Sequence, residues 1–540
     1  MDLFFKGFSA LLIMFAVLAF AGTTPWAFAV FQGGAFILTA LMLFRRGAAV
    51  SKPFKAGAFG LLFLILYALF QACFTTTFID SVPPYPSTMM RLYTLEHISI
   101  FATWLSLFFI GANIARDFKA SKNILYAFLI PAVITAVLNM ALPGGYLKLL
   151  TGISEGVGPF VNRNHGGCFL AVASILCAAL AASHFSLKKE YVQENKKTDF
   201  YAKQLILIFL FLFLALSTVF TRSRGAMTAL AAGITLYAVC LSFIFLKNIK
   251  IKICALALIA ALGLSGAFAV YANRDKINTF AQRSSSVSTD IRKDLYRSAF
   301  EALKERPIFG TGIGALPVMI TNYTKPLNSY IEHLHSDPLE ILLGAGIAGF
   351  LPTLICAAAF IIFLLGRVKA LPARKQALFT GIFCASISFC AASAVDFPLF
   401  IPACSAVFFT SAGLLCGVTF WRDEHSRIRF NAFFKAVILL FLAACFWFSG
   451  QKAAAWRFYH FADGFKFERK TLYYQKALAY YPSPRYALSL GVEYYNKSLD
   501  ASLPQEERVE LRKKAFDLAA AYLKKYPREK ELSKLYMNAL

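Results

Sequence analysis

The stretch Leu205-Ile-Leu-Ile-Phe-Leu-Phe-Leu-Phe-Leu-Ala-Leu-Ser-Thr-Val-Phe220 decides the fold class. A membrane β-strand alternates apolar and polar residues over about ten positions, whereas this run is apolar almost throughout. It reads as a helix crossing a hydrocarbon core of roughly 30 Å. Phe433 to Phe448 has the same character, and comparable runs recur along most of the 540 residues. With 58% hydrophobic and only 16% charged residues, the chain is too apolar for a soluble protein. The expected fold is all-α: a polytopic membrane bundle of about 12–13 helices.

Working outward from this run, spans are expected near 8–22, 26–44, 56–75, 98–115, 124–142, 167–185, 205–220, 226–246, 253–271, 339–365, 377–394, 401–420 and 433–450. The first lacks a clear small-residue cleavage site and is followed at once by another span, so it reads as a retained helix. The formal net charge of +26 does not point to nucleic acid, because much of the basic excess sits in short loops between spans. Arg45, Arg46, Lys52 and Lys55 form one cluster; Arg116, Lys119 and Lys122 form the next, and the pattern continues at alternate loops through Arg422, Arg427 and Arg429. These loops should face the cytoplasm. An odd span count then places the N-terminus inside and the C-terminal tail outside.

All eleven cysteines fall in or at the edge of apolar runs, and none has Cys-x-x-Cys spacing. They read as small packing residues, and neither a metal cluster nor a cofactor is expected.

Polar chemistry gathers instead in the loops assigned outside. Asn162, Arg163, Asn164 and His165 stand at the mouth of the sixth span, and Thr221-Arg-Ser-Arg-Gly225 follows the seventh. The long loop 272–338 carries Arg292, Arg297, Arg306, His333 and His335, and Asp396-Phe-Pro-Leu-Phe joins the eleventh and twelfth spans. Basic residues in a short translocated loop run against the orientation rule. Arg222 and Arg224 are therefore more than interfacial anchors reaching for lipid phosphate. Guanidinium forks bind phosphate oxygens in pairs, and several can hold a diphosphate. His333 and His335, at i and i+2, would point opposite ways on a strand and share no helix face, which makes a poor metal site. A single imidazole at the mouth of a membrane cavity suits proton abstraction from a hydroxyl.

Asn162-Arg-Asn-His165, Arg222-Ser-Arg-Gly225, the stretch from Asp290-Ile-Arg292 through Arg306-Pro-Ile-Phe-Gly-Thr-Gly-Ile-Gly314, and His335-Ser-Asp-Pro-Leu-Glu340 with Gly344-Ala-Gly-Ile-Ala-Gly349 together resemble the O-antigen ligase and polymerase superfamily. The resemblance spans about Gly156 to Gly417. It implies a metal-independent, inverting glycosyltransferase of the bacterial cytoplasmic membrane, using a glycan carried on undecaprenyl diphosphate. It further implies that Arg224 and Arg292, with Arg222 beside them, hold the diphosphate and that His335 is catalytic. Arg163, Asn164, His165, Arg297 and His333 are further candidates. Ser336 stands where the family commonly has Asn, and Pro338 falls inside the motif. Arg292 and Arg297, at i and i+5, lie on different helix faces and are not expected to share one phosphate. Gly310, Gly312 and Gly314 read alone as a turn-rich connector.

Residues 1–450 thus read as the membrane glycosyltransferase-like domain and 451–540 as an external helical tail. In the tail, Tyr473-Tyr-Gln-Lys-Ala-Leu-Ala-Tyr-Tyr-Pro482 echoes Ala519-Ala-Ala-Tyr-Leu-Lys-Lys-Tyr-Pro527, resembling tetratricopeptide-type hairpins. The acceptor is a lipid, a glycan or a protein; a protein O-oligosaccharyltransferase of the same superfamily is the alternative. A transporter would place ionisable groups near the bilayer midplane, whereas here they crowd one face.

Overall fold

The computed structural model describes residues 2–44, 48–49, 51–76, 83–115, 118–142, 156–188, 196–255, 257–258, 286–320, 323, 331–419, 427–428, 431–525 and 530–540. The chain forms α1 (Asp2–Leu18), α2 (Pro25–Phe44), α3 (Lys52–Cys73), α4 (Arg91–Ile114), α5 (Phe118–Ala141), α6 (Arg163–Phe185), α7 (Lys197–Phe220) and α8 (Arg224–Phe245). There follow α9 (Ser286–Glu305), the single turn α10 (Leu316–Met319), α11 (Asp337–Val368), α12 (Ala373–Ser393), α13 (Pro402–Thr419) and α14 (Ala432–Ala462). The tail adds α15 (Phe467–Tyr480), α16 (Pro484–Ser498), α17 (Gln505–Lys525) and α18 (Lys530–Ala539). The strand pairing among the described residues is two residues long, 48–49 against 427–428.

Ten of these helices are long and apolar enough to cross a membrane, and two shorter apolar helices lie within α1 and α13. They coincide with twelve of the thirteen expected spans; the other, 253–271, falls almost wholly outside the described residues. Several helices start earlier than apolar length alone suggests. α4 begins at Arg91, so Glu96 and His97 lie on the helix and not before it.

The bundle core is built on close backbone approach. α13 packs on α4 through glycines: a Cβ on Gly111 would lie 2.3 Å from the Thr410 carbonyl oxygen, and one on Gly413 2.3 Å from that of Phe108. Small residues replace hydrophobic attraction as the source of helix association in lipid. Gln32 on α2 adds a polar tie, donating to Ser99 Oγ at 2.8 Å and Thr103 Oγ1 at 2.7 Å on α4. Ser99 Oγ in turn lies 3.0 Å from Ser449 Oγ on α14.

α11 is broken. Gly346 has φ +62° and ψ −174°, so the helix is interrupted within an apolar run. Interior backbone groups freed in this way need partners. Residues 307–312 supply them. Thr311 and Gly312 donate to the Leu343 and Gly344 carbonyls at 3.0 Å, while Ile347 and Ala348 donate to Pro307 and Ile308 at 2.9 Å. Gln71 joins from α3, donating to Phe309 O and Gly344 O and accepting from Ile313 N. Arg306, buried, donates to Gly310 O at 3.1 Å. The glycine-rich stretch 310–314 is thus a connector laid along the helix break.

α14 runs unbroken through Gly450 to Ala462, and its last turns carry the tail. The tail has its own core around Tyr474, Leu490, Tyr494, Leu511 and Ala515. A second cluster, Ala455, Ala477, Tyr481 and Tyr486, packs against Leu92 and Tyr93 of α4 and Phe448 of α14. The tail is seated on the bundle at the end where α4 begins.

Candidate functional site

The site is built on the turn that starts α11. Asp337 and Pro338 occupy the first turn, where a proline's missing N–H costs nothing. Just before them His335 has φ +56°, a left-handed conformation rare outside glycine and costly unless the surroundings enforce it. Three contacts do so. Tyr296 Oη on α9 donates to the His335 carbonyl at 2.7 Å. Glu340 wraps the turn from below, its Oε2 accepting from Leu334 N at 2.9 Å and its Oε1 lying 3.0 Å from His333 Nδ1. His335 Nδ1 lies 3.0 Å from Asp396 Oδ1.

Asp396 sits between α12 and the 3-10 turn Pro398–Phe400, and Asp337 fixes this loop. Asp337 N donates to Asp396 O at 3.2 Å, and Leu399 N donates to Asp337 Oδ2 at 3.1 Å. His165, in the first turn of α6, brings Nε2 to 3.8 Å from the same Asp396 Oδ1, beyond a hydrogen bond but within ion-pair range. Burial alone would raise the Asp396 pKa, but the two imidazoles facing it outweigh burial and hold the carboxyl well below its ordinary value. An ionised carboxylate only accepts hydrogen bonds, so the His335 Nδ1 that faces it is an N–H, and Nε2 is the ring nitrogen turned away from the carboxylate. His333 is also shifted: burial disfavours its charge, yet the Glu340 carboxylate beside it prevails and raises the pKa.

Phe397 is the hub of the cluster. His333 stacks on it with ring centroids 4.3 Å apart, while His165 and His335 meet it edge-on at 4.6 and 5.0 Å. Phe400 covers the other side of His333 at 5.0 Å. Around these rings lies a cavity of about 680 Å³ whose wall includes Glu96, His97, Asn162, Arg292 and Lys452. His333 and His335 both reach it, because the left-handed turn at His335 breaks the alternation that a regular strand would impose.

Of the residues singled out in the sequence, His165, His333, His335 and Arg292 therefore line one cavity, together with Asn162, which caps α6 by accepting from Asn164 N at 2.8 Å. Arg163, Asn164, Arg222, Arg224 and Arg297 are not in that wall. Arg297 is exposed on α9 while Arg292, one turn before Tyr296, faces the cavity, as their i, i+5 spacing implies. The corner bearing Arg222 and Arg224 is adjacent. A Cβ on Gly225 would lie 3.3 Å from Val395, the neighbour of Asp396, and one on Gly167 would lie 2.9 Å from Thr221 Oγ1. Arg222 shares the unusual backbone of His335, with φ +58°.

The sequence marks Asp396 only as part of a loop and Glu340 only as part of a motif, and it gives Glu96, His97 and Lys452 no role. A faint signal existed for Glu96 and His97, since adjacent ionisable residues at the edge of an apolar run are costly unless partnered. Lys452 and Glu96 form an ion pair, and Tyr481 Oη of the tail donates to Glu96 Oε2 at 2.7 Å.

Residues 209–354 match the model of a protein family described as O-antigen ligase, a stretch from within α7 to within α11 that contains Arg222, Arg224, Arg292, His333 and His335. The resemblance read from the motifs is thereby shown for this part of the chain. No curated protein matches the chain. The match and the apolar helices support a glycan-transferring, ligase-like or polymerase-like activity in a multi-pass membrane protein.

Proposed function

We propose that this chain transfers a glycan from an undecaprenyl-diphosphate-linked donor to an acceptor hydroxyl on the outer face of the cytoplasmic membrane. The observation that carries this reading is the pairing of His335 with the buried Asp396 in a cavity that Arg292 also lines. The acceptor O–H presents its oxygen to the donor sugar C1, and His335 Nε2 takes the proton as the new C1–O bond forms. The bond from C1 to the phosphate oxygen breaks, and its electron pair leaves on the lipid diphosphate. Direct displacement inverts C1. Asp396 stabilises the imidazolium that forms and holds the ring in one tautomer.

Arg292, with Arg222 and Arg224 on the adjoining corner, supplies positive charge to the departing diphosphate. A guanidinium is suited to this, because it remains protonated at any physiological pH and matches phosphate oxygens two at a time. A transfer assay in membranes supplied with a lipid-diphosphate-linked glycan tests the assignment. His335→Ala should abolish product, and Arg224→Ala and Arg292→Ala should each slow transfer by about 10²-fold. Undiminished transfer in the His335 and Arg224 variants would remove the enzyme reading.

A further inference from the structure

Beside the main cavity lies a second compartment of about 290 Å³, which the bundle alone does not close. The two share a wall that includes Glu96, His97, His333 and Lys452. The remaining sides come partly from the tail: Tyr481, Ser483, Arg485 and Tyr486, facing Tyr93 and Trp456. Specific contacts hold the tail there. Tyr481 Oη donates to Glu96, Tyr93 Oη and Ser483 Oγ lie 3.2 Å apart, and Arg485 Nη1 lies 3.3 Å from Glu332 Oε1.

The lining combines aromatic rings with both signs of charge. Trp456 and Tyr93 are half-buried rings, Glu332 and Arg485 stand exposed at the rim, and Glu96 and Lys452 pair across the boundary with the main cavity. A ligand bearing a single net charge would meet as much repulsion as attraction. Vicinal hydroxyls, by contrast, donate to carboxylates and accept from guanidinium and ammonium groups, while the C–H face of a pyranose lies on an aromatic ring. The volume is at the lower end of small-ligand sites, roughly 300 Å³.

We propose that the C-terminal tail completes an acceptor subsite here, in which Trp456, Tyr93, Arg485 and Glu332 hold a hydroxyl-rich sugar residue of the acceptor beside His333 and so aim its hydroxyl at His335. This rests on the glycan-transfer reading above and adds that the tail supplies part of the acceptor site. The donor diphosphate and the acceptor then enter from different sides of the shared wall, Arg292 lining the main cavity and Arg485 the tail-bounded one.

The test uses the full chain in detergent and, as probe, the oligosaccharide released by mild acid from the envelope of a strain deleted for this protein. Binding is followed by calorimetry, and transfer is measured separately with a lipid-diphosphate-linked donor. Trp456→Ala and the surface change Arg485→Gln should each weaken probe binding roughly tenfold, the loss of about one charged or stacking contact. The acceptor KM should rise in parallel, with kcat and donor KM within about twofold of the parent. His335→Ala should bind the probe normally while transferring nothing. Equal probe binding by parent and both variants would overturn the subsite and leave the transfer reading standing. Preferential binding of a Ser- and Thr-containing peptide in its place would also overturn it. Tenfold weaker binding in both variants, with no donor-dependent transfer by the parent, would leave a sugar-binding site there but sink the enzyme reading and, with it, the acceptor role.

Discussion

Asp396 and His335 stand 61 positions apart, and their contact is made by two loops that converge on Phe397. An amide in place of the carboxylate keeps the shape but removes the charge that fixes the imidazole tautomer. Asp396→Asn should therefore lower kcat by about 10²–10⁴-fold with both KM values nearly unchanged, measured in the transfer assay. His333 behaves differently. Its pKa is raised in the folded state, so its pairing with Glu340 contributes stability that is fully present below the unfolded value near 6.5 and is lost as pH rises through the folded pKa. The gap in melting temperature between the parent and His333→Gln should thus be widest in acid and close toward alkaline pH, and a gap independent of pH would contradict the pairing. His335 was legible as one of two histidines just before the span at 339–365, and the motif resemblance chose it over His333. Asp396 was not legible as its partner, because nothing local distinguishes a loop carboxylate that meets imidazoles from one that meets water.

At the level of elements, α9 and the first turn of α11 frame the loop that bears His335. α9 turns one face to the site, presenting Arg292 to the cavity and Tyr296 to the His335 carbonyl, while Arg297 points away. Arg297→Ala should leave transfer within about twofold of the parent, against the loss expected for Arg292→Ala. The break in α11 depends on Gly346. An added Cβ there would lie 2.4 Å from Gly310 N, on a backbone at φ +62°. Gly346→Ala should destabilise the fold by more than about 2 kcal/mol, read as a fall in melting temperature. Gly366, in the same helix with nothing within 4 Å of its missing Cβ, is the control. Alanine there should be neutral or stabilising by up to about 1 kcal/mol. The span itself was legible, since 339–365 is apolar. Its interruption was not, because Gly344-Ala-Gly346 reads equally well as a packing stripe, and only the strap 307–312, forming hydrogen bonds to both sides of the break, reveals a bent helix.

On the scale of the whole molecule, the tail and the three histidines around Phe397 occupy one end of the bundle, tied by Tyr481 to Glu96 and by Arg485 to Glu332. The alternation of basic loops predicts that this end faces outward. Cysteines introduced at exposed positions of the full chain, in a background lacking Cys73, Cys254 and Cys390, read this out. Ala501→Cys should react with a membrane-impermeant thiol reagent in intact cells, whereas Lys55→Cys should react only after permeabilisation; the reverse pattern would invert the topology. Composition foretold a change near residue 450 because charge and tyrosine rise there. It did not foretell that α14 runs straight through that point, since an amphipathic continuation hides a helix from any test of apolar length.

The docked tail also orders events in time. The cavity wall begins with Gly22 and Thr23, passes through Glu96, His165, Arg292 and His335, and takes Lys452 from α14, while the neighbouring compartment waits for Tyr481 and Arg485. Tyr481 stands 146 positions after His335, so a ribosome makes the histidine well before the groups that enclose the compartment beside it exist. A nascent chain stalled before Tyr481 holds its histidines and arginines without the enclosure around them, so synthesis itself withholds the finished site until the tail has been made.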